Sequence, residues 1–336
     1  MNPKIICLTP VKNEAWILDR FLKATSLWAD YIIIADQMST DGSREIAKKY
    51  SKVILIDNTS EAFNEPERQK LLIEEARKIK GRRLLITLDV DEFFTPNILD
   101  SEDWQKIINS PIGTAFRFQR ADFHWDKKHM WITDFYFPWG LMDDNSQYAS
   151  ENLIHCSRIT QYDINKEVFI HNIIVLHLQY IYFKRMQSKH RWYQCLEKIT
   201  NPKKNSLEIF REYNHMHSVS QKNLNLIPQM WINNYKDKGI DLLINPNEEK
   251  IWFDQKVLDL FDRYGTVTFR QIAIWDINWI KIGKTYNKKQ TKKYKDPRSL
   301  IDKLIQKWLQ VTQPFEQQNI FIRRVDRLIV KKIFKY

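Results

Sequence analysis

Two aspartates stand one residue apart directly after an apolar run, with Asp89 and Asp91 following Leu84–Leu88. Carboxylate oxygens are the ligands that hard divalent cations such as Mg²⁺ and Mn²⁺ prefer, and a cation held in this way can bridge the phosphate oxygens of a substrate. Acids at the end of a strand also cap the turn that follows, and for an isolated pair of this kind capping is the commoner role. The elements that position the pair must therefore decide whether it binds a metal or caps a turn.

Short apolar, β-branched runs alternate with amphipathic helical patterns through the first ninety residues. This alternation predicts a parallel, doubly wound sheet, in which ligands bind beyond the carboxyl ends of the strands. The predicted strands are Ile5–Leu8, Tyr31–Ala35, Val53–Ile56 and Leu84–Leu88, and the clearest helices are Asn13–Trp28 and Pro66–Ile79.

Polar residues follow each of these four runs: Thr9-Pro10, Asp36-Gln37, Asp57-Asn58 and Asp89–Glu92. Because the carboxyl ends of parallel strands meet at one edge of a sheet, all four groups are predicted to line a single crevice.

Three of these segments resemble the nucleotide-binding half of family 2 glycosyltransferases. They are Leu8–Glu14, Ile34–Ser43 and Asp89–Asp91, and the resemblance covers about residues 1–95. It implies a GT-A fold, a mixed and mostly parallel sheet flanked by helices, and a Mn²⁺- or Mg²⁺-dependent enzyme. It further implies inverting transfer of a sugar from a nucleotide-sugar donor, expected to be UDP-linked, to a glycan or lipid-linked glycan in bacterial surface-polysaccharide synthesis, a reaction of the hexosyltransferase type.

The resemblance also assigns roles to individual residues. Pro10 and Val11 would line the nucleobase, Glu14 would bind base or ribose, and Asp91 would bind metal while Asp89 touches the ribose and diphosphate. Gln37 departs from the family pattern, which has an acid that reads uracil at this position; an amide both donates and accepts, so the base is less certain. The full set implied for the nucleotide sugar is Pro10, Val11, Asn13, Glu14, Asp36, Gln37, Arg68, Asp89 and Val90.

Three further residues each have two possible roles. Arg68 follows Asn64-Glu65-Pro66, where the family often has a cation near the diphosphate, but it equally suits an ion pair on a helix surface. His177 ends a strand-like run, and the resemblance makes it a third metal ligand beside Asp89 and Asp91; a single histidine on an apolar strand is otherwise a core residue. Asp41 could likewise serve only as a helix cap.

An inverting transfer needs a carboxylate base for the acceptor hydroxyl. We predict Asp144 or Glu151, because Phe137–Met142 reads as an aromatic acceptor loop leading into them. Tryptophan rings stack on sugars, although core packing is the commoner role of any one of them. The acids considered are Asp122, Asp134, Asp143, Asp144 and Glu151, and the aromatic platform is Trp125, Trp131 and Trp139.

The net charge of +12 resides in the C-terminal segment, because Lys281–Tyr336 holds 16 Lys and Arg against 4 Asp and Glu. We predict a catalytic domain over residues 1–235, divided into a nucleotide-binding half (1–95) and an acceptor half (96–235), and a mainly helical region over 236–336. The basic amphipathic segment 281–336 would lie on an anionic membrane surface. Nucleic acid is the less favoured partner, and a solvated helix face is the plain alternative.

Cys7, Cys156 and Cys195 are too few and too widely spaced for a disulfide framework, and no leader precedes the first strand, so a cytoplasmic protein, peripheral on the inner membrane face, is expected. Two other functions stay open. A GT-A-like domain without activity would be a glycan-binding module, and a nucleotidyltransferase would share the sheet and its carboxylates. Against the latter, the first loop Thr9–Glu14 contains no glycine.

Overall fold

The computed structural model describes residues 2–60, 63–150, 156–244, 246 and 250–331. Its contacts divide the chain into two compact units. The first comprises Met1–Ile181 and Asn225–Pro246, and the second comprises Tyr182–Leu224 and Asn247–Tyr336. The functional division expected at residue 235 stays a prediction.

The first unit is a mixed sheet with helices packed on it. Its strands are β1 (Lys4–Val11), β2 (Tyr31–Asp36), β3 (Val53–Asp57), β4 (Arg83–Thr87), β5 (Glu92–Phe94), β6 (Ala115–Phe123), β7 (His129–Ile132), β8 (Phe137–Met142), β9 (Glu167–His177) and β10 (Asn225–Leu226). Its helices are α1 (Ala15–Thr25), α2 (Ser43–Ala47), α3 (Glu65–Arg77), α4 (Glu102–Asn109) and α7 (Gln229–Lys236).

The strand order is β10-β7-β6-β8-β4-β1-β2-β3, with β9 paired to both β5 and β6. Strands β1 to β4 are mutually parallel, as the alternating pattern predicts. Strand β8 runs antiparallel to both β4 and β6, so β6 points in the same direction as β4. The carboxyl ends of β1, β2, β3, β4 and β6 therefore face one edge of the sheet.

Apolar side chains alternate between the two faces of the parallel strands, which is why these strands read as continuous apolar runs. Ile6 and Leu8 of β1 pack with Leu72 and Ala76 of α3 on one face. Cys7 and its neighbours on the other face pack with α1, whose buried side chains are Ile17, Leu18, Phe21, Leu22, Ala24 and Thr25. Both predicted helices are thus confirmed, and burial on both faces fixes the register of the strands.

The segment Phe137–Met142 is a strand and not the predicted loop. Its Pro138 and Gly140 suggested a loop, but each has a place in the sheet. The register between β6 and β8 shifts opposite Pro138, and irregularities of this kind tolerate proline. A Cβ on Gly140 would lie 3.0 Å from Ile86 Cδ1 and 3.1 Å from Phe116 Cβ, so glycine allows the neighbouring side chains to approach the strand closely.

The second unit is helical, as predicted for the C-terminal part of the chain. Its aromatic core includes Phe261, whose ring centroid lies 5.3 Å from those of Trp275 and Trp279. Among the described residues, no helix is both long and apolar enough to span a bilayer. The helices are α5 (Phe183–Thr200), α6 (Ser206–Tyr213), α8 (Trp252–Tyr264), α9 (Trp279–Thr285), α10 (Leu300–Thr312) and α11 (Ile320–Ile329).

Candidate active site

The polar groups after the first four strands meet at one edge of the sheet. Val11 at the end of β1 pairs with Asp36 at the end of β2, and Asp36 pairs with Asp57 at the end of β3. On the other side of β1, Leu8 pairs with Thr87, two residues before Asp89. The predicted convergence of four strand ends is therefore present in the structure.

The loops after β1 and β2 are tied to each other by side chains. Lys12 Nζ donates to the carbonyl oxygens of Gln37 and Met38. Asn13 adopts a left-handed conformation (φ 54°), and its Oδ1 accepts the backbone N–H of Thr40 at 2.8 Å. Non-glycine residues held at positive φ are uncommon and cluster at ligand-binding loops. The two segments that resemble the family motifs thus form one rigid surface.

Asp41 has the capping role that was left open from the sequence. Its Oδ2 accepts the backbone N–H of Ala15, the first residue of α1, at 2.9 Å, and its Oδ1 accepts the N–H and O–H of Ser43. The same Ser43 Oγ accepts the backbone N–H of Glu14 at 2.9 Å. Unpaired N–H groups at the start of a helix are commonly satisfied in this way. Asp41 therefore fixes the position of Glu14 at the edge of the sheet.

Two predicted ligands of the nucleotide take part in contacts within the loops. Glu14 Oε2 accepts the indole N–H of Trp16 at 2.6 Å, and Gln37 Nε2 donates to the carbonyl of Ser60 at 2.7 Å. The Gln37 amide is oriented by this bond, because its nitrogen must face Ser60. Orientation of an amide decides which groups of a ligand it can contact.

Buried oxygen atoms without a hydrogen-bond partner among the described residues occur at this edge. They are Thr9 Oγ1, Asp36 Oδ1 and Glu92 Oε1. The second oxygen of Asp36 accepts Arg44 Nη1 at 2.8 Å and the backbone N–H of Ser39 at 3.1 Å. Buried polar atoms normally have partners, and exceptions call for an explanation such as a bound ligand or water. The donors of a polar ligand would satisfy them here.

The two aspartates lie in the tight turn between β4 and β5. Glu92 closes this turn: its Oε2 accepts the backbone N–H of Asp89 at 2.8 Å, and its own N–H donates to the Asp89 carbonyl at 2.9 Å. Within the part of the chain that the structure describes, no group hydrogen-bonds to the carboxylate of Asp91. Glu92 therefore caps the turn, and the Asp91 carboxylate is available to a ligand.

His177 faces Asp91 across the neighbouring strand. Strand pairing aligns Glu92 with His177 and His177 with Asp122. His177 Nε2 lies 3.8 Å from Asp91 Oδ2, while His177 Nδ1 lies 2.6 Å from Asp122 Oδ1. The fully buried Asp122 therefore fixes the orientation of the ring, so that Nε2 faces Asp91.

Asp91 and His177 fit two positions in the shell of a divalent cation. Carboxylate oxygen and imidazole nitrogen are both acceptable to Mn²⁺. Their separation of 3.8 Å can be spanned by two ligands each about 2.1 Å from a shared ion. The described residues contain no group of three or more His, Cys, Asp or Glu side chains that could hold a metal. A cation here would take its remaining ligands from water and substrate oxygens.

Arg158 contributes a positive charge to the site, and no sequence pattern predicted it. Its Nη2 lies 2.6 Å from Asp89 Oδ2 and its Nη1 lies 2.5 Å from Glu92 Oε2. Burial alone would lower the pKa of this guanidinium, but the carboxylates of Asp89 and Glu92 outweigh that effect and raise the pKa. The side chain remains 26% exposed, so its charge can still reach a ligand.

Hydrogen bonds fix the backbone of Arg158, and a contact with an aromatic ring fixes the plane of its guanidinium. Its carbonyl accepts Gln69 Nε2 of α3 at 2.5 Å and Thr87 Oγ1 of β4 at 3.2 Å. Its guanidinium lies over the Trp139 ring, 5.4 Å from the ring centroid, a distance at which cation–π attraction contributes about 1 kcal/mol. Trp139, a predicted sugar platform, is buried and supports Arg158 in this structure.

The formal charges at this edge leave an excess of negative charge that a divalent cation would balance. Asp89, Asp91 and Glu92 contribute three negative charges, and Arg158 contributes one positive charge. The carboxylate of Asp122 is balanced by Arg120, whose Nε lies 3.1 Å away. The side chains of Asp89, Asp91, Glu92, Arg158, Asp122 and Arg120 therefore sum to a formal charge of −2. Partly buried carboxylates of like charge repel each other, and a cation relieves that repulsion.

Arg68 makes the ion pair that was the alternative to a diphosphate contact. Its Nη2 lies 3.9 Å from Glu65 Oε1, one turn back on α3, and its guanidinium lies over the Phe63 ring. Its Nε is buried and has no hydrogen-bond partner among the described residues. The weak ion pair leaves the predicted contact of Arg68 with a diphosphate as a prediction.

Asp144, one of the two favoured base candidates, lies far from the carboxylate pair. Asp144 follows β8, where Met142 pairs with Leu84 at the opposite end of β4. At about 3.3 Å per residue, that end lies roughly 15 Å or more from Asp89. Asp144 is exposed there and its Oδ1 accepts the N–H of Ser146. Glu151 lies outside the described residues, and its assignment stays a prediction.

Replacing Asp122 with Asn should weaken Mn²⁺ binding by about 10- to 100-fold, because the amide orients His177 less strongly and lowers the basicity of its ring. The measurement is the Mn²⁺ concentration that gives half-maximal nucleotide-dependent stabilisation. Asp103→Asn is the matched control, since Asp103 is a buried carboxylate that binds only the backbone N–H groups of His171 and Asn172 on β9 and Lys106. An equal Mn²⁺ requirement in both variants would contradict the role of Asp122.

The family model described as glycosyl transferase family 2 matches residues 7–169. The matched segment contains both tied loops, the turn with Asp89 and Asp91, and Arg158. No curated protein matches the chain.

Proposed function

We propose that this chain, whose residues 7–169 match the model of glycosyl transferase family 2, transfers a sugar from a nucleoside-diphosphate donor with the help of a divalent cation. The observation that carries this proposal is the pairing of Asp91 with His177. Among the described residues no group hydrogen-bonds to the Asp91 carboxylate, which faces the Nε2 side of an oriented imidazole at the same edge as the two tied loops. Such a pair is suited to a cation.

The bound cation would neutralise charge on the diphosphate as the glycosidic bond breaks. Asp91 and His177 would hold it, and Asp122 would orient His177. Arg158 lies beside Asp89 with part of its guanidinium exposed, so it would stabilise the negative charge that develops on the leaving group. Pro10, Val11 and Asn13 would line the nucleotide, with Asp36 accepting one of its donors.

We propose uridine as the nucleoside, read by the oriented amide of Gln37. The acceptor class is a glycan or lipid-linked glycan. A reducing, cytoplasmic location agrees with the cysteines, since Cys7, Cys156 and Cys195 are all unpaired. Burial raises the pKa of the Cys7 thiol strongly, so this residue has no reactive thiolate at neutral pH.

Thermal stabilisation by nucleoside diphosphates tests the proposal directly. A ligand at 100 times its Kd stabilises the folded state by about 2.7 kcal/mol. We expect UDP with Mn²⁺ to raise Tm by several degrees, and GDP, ADP and CDP to raise it less. UDP with a chelator should give little stabilisation, because the diphosphate would then face the net charge of −2.

Each outcome of that panel has a clear meaning. If no nucleoside diphosphate stabilises the chain, the proposed donor class is refuted. If a chelator leaves the stabilisation unchanged, the proposed metal dependence is refuted. A preference for GDP or CDP would refute the reading of uracil by Gln37 while leaving the metal site in place.

A further inference from the structure

Helix α10 carries apolar residues on two opposite sides. On the inner side Ile305 and Leu309 pack with Leu207 and Phe210 of α6. On the outer side Leu300, Leu304 and Val311 are 80%, 71% and 56% exposed. At 100° per residue these three lie within about 40° of each other, on the side opposite Leu309. A helix that packs on protein through one side normally presents polar residues on the other.

Basic side chains accompany this exposed apolar row. Lys303 and Lys307 are exposed on α10, and Arg324 and Arg327 are exposed on α11. No ion pair joins these four cations to an acid among the residues that the structure describes.

The acids of α10 and α11 themselves are turned inward and do not compensate this positive charge. Asp302 is buried and caps α10 through Ser299. Asp326 is buried on α11 and binds Arg211 at 2.9 Å and the Trp308 indole N–H at 2.9 Å. The outward-facing charge of both helices is therefore positive.

Helix α11 adds further exposed apolar groups. Phe321 and Leu328 are 66% and 54% exposed, while Ile322 and Asp326 on the other side of the helix are buried. Arg324 lies between Phe321 and Leu328 in the sequence, so cations and apolar groups are interleaved along one helix. We call the six residues Leu300, Leu304, Lys307, Val311, Phe321 and Arg324 the outer surface of α10 and α11.

We propose that the outer surface of α10 and α11 docks on a membrane with anionic lipid headgroups. Large aliphatic and aromatic side chains beside Lys and Arg are the composition of helices that lie in the headgroup region, where the apolar groups enter the acyl boundary and the cations meet phosphates. The proposal is independent of the nucleotide site, since it depends only on residues of the second compact unit.

The composition is less suited to two other partners. A second copy of the chain would bring Lys307 and Arg324 against the same cations, and like charges in contact are destabilising. Nucleic acids attract the cations, but they gain little from exposed aliphatic groups such as Leu300, Leu304 and Val311, because single strands stack on aromatic rings.

Co-sedimentation of the full chain with lipid vesicles tests this surface. The vesicles are phosphatidylcholine alone and phosphatidylcholine mixed with phosphatidylglycerol. We expect binding to the mixed vesicles only, weakened by about fivefold for each cation removed in Arg324→Gln and Arg327→Gln. The triple variant Leu300→Ser, Leu304→Ser, Val311→Ser should weaken binding by about tenfold or more. Circular dichroism and Tm confirm that the variants are folded.

The matched control removes equally exposed apolar groups from the first compact unit. Phe135, Ile164 and Leu226 are 75%, 73% and 71% exposed, and their triple replacement by Ser should leave vesicle binding unchanged. An equal loss in the control triple, or no binding of the wild type to mixed vesicles, refutes the proposal.

Two further measurements separate this surface from its rivals and from the nucleotide site. Tighter binding to a single-stranded oligonucleotide, insensitive to the aliphatic triple, would assign the cations to nucleic acid. A dimer in light scattering that the aliphatic triple dissociates would assign the surface to self-association. Stabilisation by UDP and Mn²⁺, measured on the same preparations, reports the donor site separately.

Discussion

Replacing Asp91 with Asn is expected to lower the rate of sugar transfer by about a thousandfold. The amide carries no charge, so the cation loses its anionic protein ligand and the leaving diphosphate loses charge stabilisation. The measurement is kcat at saturating donor and Mn²⁺. Nucleotide-dependent stabilisation should lose its dependence on Mn²⁺ in the same variant.

The fold should tolerate this substitution well. No hydrogen bond to the Asp91 carboxylate exists among the described residues, and the surrounding cluster has an excess of negative charge. Removal of one carboxylate relieves repulsion with Asp89 and Glu92, so Tm without ligand should equal or exceed that of the wild type. Asp100→Asn, the same change at an exposed position, is the control and should keep full activity. Unchanged transfer by Asp91→Asn would remove Asp91 from the mechanism.

The parallel half of the sheet could be predicted because its signal is local. Each apolar run of β1 to β4 packs against a core on both faces, and the helices between the runs show a clear apolar side at Phe21 and Leu72. Once these strands are known to be parallel, the position of Asp36 and Asp89 at one edge follows from the geometry of the sheet.

The remainder of the sheet could not be predicted, because its order depends on pairings distant in sequence. Pro138 and Gly140 argue locally for a loop, and only the close approach of Ile86 and Phe116 explains a strand there. With β8 antiparallel to β4, the chain runs away from the site as it reaches Asp144. Asp144 is therefore placed away from the carboxylate pair, while the assignment of Glu151 stays a prediction.

The roles of Arg158 and Asp122 could not be predicted for the same reason, which is that their partners are distant in sequence. Arg158 is 69 positions from Asp89 and belongs to no motif, and Asp122 is 55 positions from His177. Asp122 was among the acids considered, but only the register of β6 with β9 reveals that it orients His177. The family resemblance, and not the strand position alone, suggested His177 as a ligand beside Asp91, and the pairing of β5 with β9 brings the two residues together.

Replacing Arg158 with Gln should lower kcat by about 100- to 1,000-fold, with a smaller change in the KM for the donor. The guanidinium carries the positive charge beside Asp89, and negative charge on the leaving diphosphate grows as the glycosidic bond breaks. Its contribution is therefore larger in the transition state than in the bound donor, which affects kcat more than KM. Arg158→Lys keeps the charge but loses the fork that spans Asp89 and Glu92, so an intermediate rate is expected.

A purely structural role for Arg158 makes a different prediction. Loss of its ion pairs leaves Glu92 buried without a cation, which destabilises a folded chain by about 3 kcal/mol or more. Arg77 provides the matched control, because it also pairs with a buried carboxylate, Asp143, but at the opposite edge of the sheet. Arg77→Gln should lower Tm and leave kcat of the folded enzyme near that of the wild type. If Arg158→Gln behaves in the same way, its guanidinium supports the turn and does not act on the leaving group.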